Sequence, residues 1–312
     1  MPKAVALILL NWNTPVYTDN CIASLKQYCN EALFDIIVAD NGSTDNSLEI
    51  LKAQYPDLIY IDNKENLGFA EGNNRALRYS IEEGYTYSLL LNTDTLVDED
   101  IVFKLRQHLD KHAKGAAVQP AIYWMHDHTS IWNGKGSFNK LSGNTPSSKK
   151  LPDPGLVEGF EQADWVTGCC VLLRNDALQK GGLLNKRFFL YYEDVDLSFR
   201  LRECGYELHY LPDCKMYHEA GASATSKNKE GSLSPIIHYY VCRNHIWILR
   251  RYGNALFYPV NLLYNGAYYL SLLAYFILRR RKQKAGFLIK AFKDGFFTPK
   301  NLIWAKDNTS IS

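Results

Sequence analysis

Short apolar runs, each breaking abruptly into a polar cluster, recur through the first third of the chain. Val5 to Leu10 ends in Asn11-Trp12-Asn13-Thr14-Pro15, and Phe34 to Ala39 ends in Asp40-Asn41-Gly42-Ser43-Thr44-Asp45. Leu58 to Ile61 leads into Asn66-Leu67-Gly68-Phe69-Ala70-Glu71-Gly72, and Ser88 to Leu91 breaks into Asn92-Thr93-Asp94. Runs of this kind read as strands covered on both faces. The polar clusters carry helix-start chemistry. Thr14 and Pro15 suit the cap and first residue of a helix to about Cys29, Asp40 to Asp45 caps one through Tyr55, and a third follows Gly72 to about Glu83. Three βα units in a row predict a doubly wound, Rossmann-like and mostly parallel sheet whose polar strand ends share one ligand crevice.

Further along, Asp98 to His112 reads as a helix, Ala116 to Tyr123 as a strand, and Asp127 to Pro154 as a hairpin with a mobile loop. Asp164 to Leu173 reads as one more strand, with Trp165 offering a flat face near Gly168 or else packing as core. Cys169 and Cys170 read as small buried hydrophobes. Glu193 and Asp194 head a helix to about Cys204, where the helix dipole favours carboxylates, and Asp196 is placed to pair with Arg200 four residues on. Glu207 to Leu211 is a strand, followed by a segment that contains His218. Ser223 to Ser232 has the composition of a flexible lid, and Ser234 to Tyr252 is a helix whose Arg243 meets a diphosphate or is a surface cation.

Tyr252 to Leu278 has no charged residue over 27 positions. As a helix it would extend about 40 Å, enough to cross a bilayer. However, Asn254, Tyr258, Asn261, Asn265, Tyr268 and Tyr275 form a polar stripe, and Pro259 and Gly266 interrupt it. That pattern suits a helix lying in a membrane interface or packed partly on the protein.

Charge sharpens this picture. The chain carries +2 overall, but from Arg279 onward nine Lys or Arg face Asp294 and Asp307, so the tail is +7 and the body −5. A basic tail on an acidic body points to an anionic membrane surface and not to nucleic acid. The 312 residues suit one large domain with an appendage. The seven cysteines, odd in number and without a C-x-x-C pair, fit free thiols in a reducing compartment, and the amino terminus reads as a first strand, not a signal peptide.

The dinucleotide fingerprint G-x-G-x-x-G and the phosphate loop G-x-x-x-x-G-K-[ST] are both missing, which argues against a nicotinamide enzyme or an ATPase. At the strand ends, Asp40 can accept from a base imide or a ribose hydroxyl. Asn92 and Asp94 offer hard oxygens to a divalent cation that itself holds a diphosphate, though the same residues also serve as turn caps. Gly68 and Gly72 would let backbone approach a ligand, with the helix after Gly72 aiming N–H groups at phosphate.

Taken in order, Leu10-Asn11-Trp12-Asn13, Ala39 to Asp45, Asn66 to Ala70 with Gly72-Asn73-Asn74, Leu91 to Asp94, and Tyr192-Glu193-Asp194-Val195-Asp196-Leu197 resemble the motifs of family 2 glycosyltransferases, especially the bacterial rhamnosyltransferase-like branch. The resemblance spans roughly residues 4 to 250 and implies a GT-A fold. It implies donor contacts at Asn11, Asn13, Asp40, Asn41, Asn66, Gly68, Gly72, Asn92 and Asp94, and acceptor contacts at Trp165, Gly168 and Glu193. Asp94 and Asn92 would hold Mg²⁺ or Mn²⁺; Asn92 departs from the strict D-x-D triplet, and His218 is the implied further ligand. Asp194 would be the base of an inverting transfer. On this reading residues 1–233 are the catalytic domain and 234–312 a helical, basic, membrane-associating segment.

The donor implied is dTDP-rhamnose, with a UDP-hexose or UDP-N-acetylhexosamine as the alternative. The acceptor implied is a polyprenyl-linked or surface-polysaccharide hydroxyl at the cytoplasmic face of a bacterial inner membrane, with an enzyme expected to be peripheral or C-terminally anchored and a homo-oligomer as one expected state. Two rivals stand beside it. A sugar nucleotidyltransferase expects a glycine-rich basic loop where this chain has Asn11 to Pro15, and a non-catalytic carbohydrate- or membrane-binding protein would not need every acidic candidate.

Overall fold

In the computed structural model, which describes residues 3–151, 159–221, 230 and 233–304, each of the four apolar runs is a strand. β1 (Val5–Asn11), β2 (Phe34–Asp40), β3 (Ile59–Asp62) and β4 (Tyr87–Leu91) lie side by side in the order β3-β2-β1-β4, all parallel. α1 (Pro15–Tyr28), α2 (Ser47–Gln54) and α3 (Gly68–Glu82) are the crossovers. The runs are apolar throughout because both faces are covered. Val5, Leu7 and Leu9 join Cys21, Ile22 and Leu25 of α1 in one cluster, while Ala6 and Ile8 join Ala70, Ala76 and Leu77 of α3 in another. Cutting a fully buried leucine here back to alanine would cost about 2–5 kcal/mol.

The second half consists of β5 (Thr95–Leu96), α4 (Ile101–Lys111), β6 (Gly115–Trp124), β7 (Asp127–Asn133), β8 (Glu161–Gln162), β9 (Cys170–Arg174), α5 (Asn175–Gly181), α6 (Glu193–Glu203) and β10 (Glu207–His218). Here the sheet departs from the expected parallel pattern: it is mixed, in the order β3-β2-β1-β4-β9-β6-β10-β5. β9 lies antiparallel to both β4 and β6, so its first residue, Cys170, pairs with Leu91, the last of β4. This reversal sets Cys169, the residue just before β9, against Asn92, whose amide donates to the Cys169 carbonyl. β9 also starts later than Asp164, because the amides of Thr167 and Gly168 bond to the side chains of Gln119 and Asp194 and not to a neighbouring strand. β10 runs unbroken through Pro212, where its pairing with β6 shifts register between Leu211 and Lys215; a bulge is where a strand tolerates a residue with no N–H. The far end of β10 pairs antiparallel with β5, setting His218 opposite Thr95.

α7 (Pro235–Tyr252), α8 (Tyr258–Leu278), α9 (Lys282–Phe297) and α10 (Lys300–Ile303) complete the chain. Trp247 and Ile248 of α7 and Ile303 of α10 share a core cluster with Phe188, Val195 and Phe199. The expected polar stripe of α8 is split: Asn261 and Asn265 are buried and donate to the carbonyls of Lys140, Leu141 and Ser142, whereas Asn254, Tyr258, Tyr268 and Tyr275 are exposed. Among the described residues no helix is long and apolar enough to cross a membrane. The lid expected at Ser223 to Ser232 lies, apart from Glu230, outside the described residues.

Candidate active site

The first two strand ends are stitched together by short polar side chains. Asn11 Nδ2 donates to Asp40 Oδ1 at 2.9 Å, and the Ser43 amide donates to Asp40 Oδ2 at 2.9 Å. Asn13, at φ 54°, donates its amide to Ser43 Oγ and accepts from the Thr44 amide at 2.7 Å. Ser43 is thus the bridge between the two ends, a role that its place in a turn-like run did not reveal. Asn41, buried, and Asn66, exposed, tie the second strand end to the loop ahead of α3. Asn41 Oδ1 accepts from the Leu67 amide and its Nδ2 donates to Asn66 Oδ1 and the Gly68 carbonyl, while Asn66 Oδ1 accepts from the Gly68 amide at 2.9 Å.

Gly68 and Gly72 do allow a close approach, but to protein and not to a ligand. A Cβ on Gly68, which sits at φ +75°, would stand 2.5 Å from the Phe189 carbonyl, and one on Gly72 would stand 2.9 Å from Leu10. The helix begins at Gly68 itself, and its first amides, Phe69 and Ala70, donate to the Phe189 oxygen at 2.7 and 3.3 Å. These N–H groups are therefore already engaged and do not point at phosphate.

At the fourth strand end Asp94 is buried, and its Oδ1 lies 3.0 Å from His218 Nε2. The edge of Trp132 walls the imidazole at 4.3 Å between ring centroids. His218 Nδ1 is buried and has no hydrogen-bond partner among the described residues. A carboxylate oxygen and an imidazole nitrogen converging in this way suit Mn²⁺ or Mg²⁺. Among the described residues no group of three or more His, Cys, Asp or Glu forms a complete cage, so the donor set fits an ion that takes its other ligands from water and a diphosphate.

Asp194 stands at the head of α6. Its Oδ2 accepts from the Gly168 amide at 3.0 Å and its Oδ1 from the Val195 amide at 2.8 Å. Burial raises its pKa, and the two amides pull it back part of the way. Glu193 is buried beside it with Oε2 unpartnered among the described residues; burial first, and the neighbouring Asp194 charge second, push its carboxyl well up. Gly168 cannot carry a side chain, because a Cβ would meet the Phe69 ring at 2.9 Å. The next residue reaches the other centre: the Cys169 carbonyl accepts from the Asn92 amide at 2.8 Å. One step along the backbone therefore ties Asp194 to the Asn92 to Asp94 triplet. Cys169 and Cys170 are buried with thiols pushed well up by that burial, as expected of inert packing residues.

Two further expectations change. Trp165 is core, not a sugar platform: it is 7% exposed, Gly136 packs against its ring, its Nε1 donates to the Ser137 carbonyl, and it clusters with Phe188 and Phe199. Arg243 is neither a phosphate ligand nor a surface cation; it is buried and donates to the carbonyls of Arg187 and Phe188. Asp196 behaves as expected, holding Arg200 at 2.8 Å and also accepting from Tyr252.

Residues 7–182 match the family model described as Glycosyl transferase family 2. Over 243 residues the chain is 22% identical to an N-acetylglucosaminyl-diphospho-decaprenol L-rhamnosyltransferase of Mycobacterium tuberculosis, covering 72% of this chain and 78% of the relative. It is 27% identical over 228 residues to the rhamnosyltransferase WbbL of Escherichia coli, covering 69% and 83%. The mannosyltransferase PcManGT from Pyrobaculum calidifontis, solved with GDP-Man and Mn²⁺, is similar in structure with a TM-score of 0.55 at 14% identity, covering 95% of this chain and 88% of that one. GalNAc-T7, solved with UDP, GalNAc and Mn²⁺, gives 0.60 at 12% identity over 80% of this chain, which spans about half (48%) of its length. At such identities the structural likeness bears on the fold alone, an α/β architecture of GT-A type.

Proposed function

Since the chain belongs to glycosyl transferase family 2, we propose that it moves rhamnose from dTDP-rhamnose to a hydroxyl of a polyprenyl-linked or surface-polysaccharide acceptor, with inversion, at the cytoplasmic face of a bacterial inner membrane. That it is a glycosyltransferase follows from the family; the sugar is supported by relatives named as rhamnosyltransferases, and the acceptor class by the mycobacterial relative named for a decaprenyl-linked one. The observation that carries the mechanism is the backbone step from Gly168 to Cys169, which joins Asp194 to the triplet that holds Asp94.

In this reading Asp40, with Asn11 and Ser43 fixing both its oxygens, receives the nucleoside end of the donor. Asp94 and His218, with Asn92, would hold Mg²⁺ or Mn²⁺, which would supply charge neutralisation for a departing diphosphate. Asp194 takes the proton of the acceptor hydroxyl as that oxygen attacks the anomeric carbon from the face opposite the leaving group. The Gly168 amide keeps the carboxylate aimed while it waits. Glu193, next to Asp194 in sequence, is the residue this reading assigns to the acceptor. Residues 1–233 supply the side chains assigned to this chemistry, and 234–312, of which α7 and α10 pack on their core, hold it at an anionic membrane.

The test is thermal stabilisation by dTDP, UDP and GDP, each with and without Mn²⁺, since a ligand that binds only the native state raises the melting temperature. A Mn²⁺-dependent rise with dTDP is expected; a rise with UDP alone would replace the donor, and no rise with any nucleotide would remove the donor site. Asp94→Ala and Asp194→Asn should both abolish transfer, but only Asp94→Ala should remove the Mn²⁺-dependent stabilisation. Normal turnover in Asp194→Asn would overturn the base assignment.

A further inference from the structure

The approach to Asp194 is strained. Phe189, Tyr191 and Tyr192 sit at φ 64°, 67° and 68°, a left-handed conformation that side chains with a Cβ rarely adopt. Three such residues just ahead of a helix relax unless the surroundings hold them. Here five consecutive carbonyls, 187 to 191, are taken by donors from outside the segment. The Phe189 oxygen accepts from the Phe69 and Ala70 amides. The other four fall to two adjacent side chains on α7. Arg243 Nη2 donates to the carbonyls of Arg187 and Phe188, both at 2.9 Å, and Asn244 Nδ2 donates to Phe188, Leu190 and Tyr191 at 3.0, 2.8 and 2.7 Å.

The chemistry of the pair is directional. Arg243 Nε donates to Asn244 Oδ1 at 2.8 Å, so the amide oxygen is occupied and the NH₂ edge must face the segment. The guanidinium is itself fixed between aromatic faces, 4.2 Å from the Trp247 ring centroid and 4.9 Å from that of Tyr240. Asn244 is fully buried. A carboxylate of the same shape would turn acceptor lone pairs toward three carbonyls, and the segment would lose its anchor without any change in volume.

We propose that Asn244, oriented by Arg243, is a positioning residue for sugar transfer: it fixes segment 188–191, which contains the positive-φ residues Phe189 and Tyr191, and, through it, the place of the Asp194 carboxylate. This rests on the reading of Asp194 as the base. Neither side chain touches the residues assigned to the donor, so the effect should fall on turnover and spare nucleotide binding.

The experiment compares Asn244→Asp, Arg243→Lys and Asp194→Asn with the unmodified full-length protein. Melting temperature, its Mn²⁺-dependent rise with nucleoside diphosphate, KM for the donor and kcat are measured for each. For Asn244→Asp the expected result is a folded protein with unchanged nucleotide stabilisation and donor KM, and kcat lower by about a hundredfold, the scale on which ångström misplacement acts. Arg243→Lys should give a smaller loss with the same split. Unchanged kcat in folded Asn244→Asp overturns the proposal, and so does nucleotide stabilisation lost in step with kcat, which marks a general folding role. If Asn244→Asp does not fold, Arg243→Lys decides by the same two criteria. Turnover retained by Asp194→Asn removes the base assignment and the positioning role with it, whereas an inactive Asp194→Asn beside a normal Asn244→Asp removes only the positioning role.

Discussion

Glu193 and Asp194 are neighbours in sequence with opposite surroundings. Asp194 receives two backbone amides, while Glu193 has an oxygen with no partner among the described residues, and burial raises both. The pair thereby divides its protons: the amide-bonded carboxyl is the one suited to stay ionised, and Glu193 the one suited to stay neutral. A carboxyl raised in the folded state binds a proton that the unfolded chain releases above about pH 4.3. Stability from this group is therefore full below that pH and is lost as pH rises through the folded pKa. Glu193→Gln removes the loss, so its melting temperature should match the unmodified protein near pH 4.5 and exceed it by a margin that widens toward pH 8. A margin that stays constant across that range would mean Glu193 is not held neutral. The order of motifs in the sequence singled out Asp194, Asp94 and His218 as candidates, and the fold sets His218 Nε2 3.0 Å from Asp94 Oδ1. It could not show that Gly68 and Gly72 serve protein contacts or that Trp165 is covered, because those depend on what packs against each residue from distant parts of the chain.

At the level of elements, the parallel half was legible because both faces of each strand are buried and the apolar runs are local. The mixed half was not. Periodicity marks a strand but not its neighbours, so the antiparallel insertion of β9, the two-residue β5 and the passage of β10 through Pro212 are fixed by long-range pairing. That pairing also builds a buried histidine contact with no precedent in the pattern. His108 Nε2 on α4 meets His209 Nδ1 on β10 at 2.9 Å, His209 Nε2 lies 3.2 Å from Glu207, and His112 stacks on His108 at 4.2 Å. Two facing ring nitrogens share one proton, and a second proton sets N–H against N–H. Burial, then the charges of His112 and His209, lower His108 to about 4. Because an unfolded histidine titrates near pH 6.5, the unfolded chain binds the extra proton first, and stability drains away as pH falls from about 6.5 toward 4. His108→Gln, which keeps a donor for His209, should have a shallower decline in melting temperature over that range. An equal slope in both proteins would place the acid sensitivity elsewhere.

The molecule as a whole carries its tail inside out. Asn261 and Asn265 of α8 are spent on loop carbonyls, so the opposite face, with Val260, Leu263, Leu270 and Ile277 at steps of three or seven and Leu256 just ahead of the helix, is left exposed; Leu263 is 76% accessible. Tyr264, Tyr268 and Tyr275 flank it, and the exposed cations Arg279, Arg280 and Lys282 follow at its end. An apolar surface of this extent needs a partner. A second copy would call for complementary charges beside the stripe to set register, and here there are tyrosines instead, with a block of cations that parallel copies would bring together. Tyrosine flanks and terminal cations match the interface of an anionic bilayer. The protein should therefore sediment with phosphatidylglycerol vesicles and far less with phosphatidylcholine. Leu263→Glu with Leu270→Glu should abolish both, whereas Arg279→Gln, Arg280→Gln and Lys282→Gln together should cost about a hundredfold in partition to the anionic vesicles alone, at roughly 1 kcal/mol per cation. Self-association in solution without vesicle binding would assign the face to a second copy. The helix that carries this exposed face is also joined to the candidate site: Tyr269 of α8 bonds His245 at 2.7 Å, and His245 stacks on Tyr192, two residues from Asp194. Vesicle-bound and free protein should consequently differ in amide exchange over residues 188–194, and identical exchange would confine the tail to tethering.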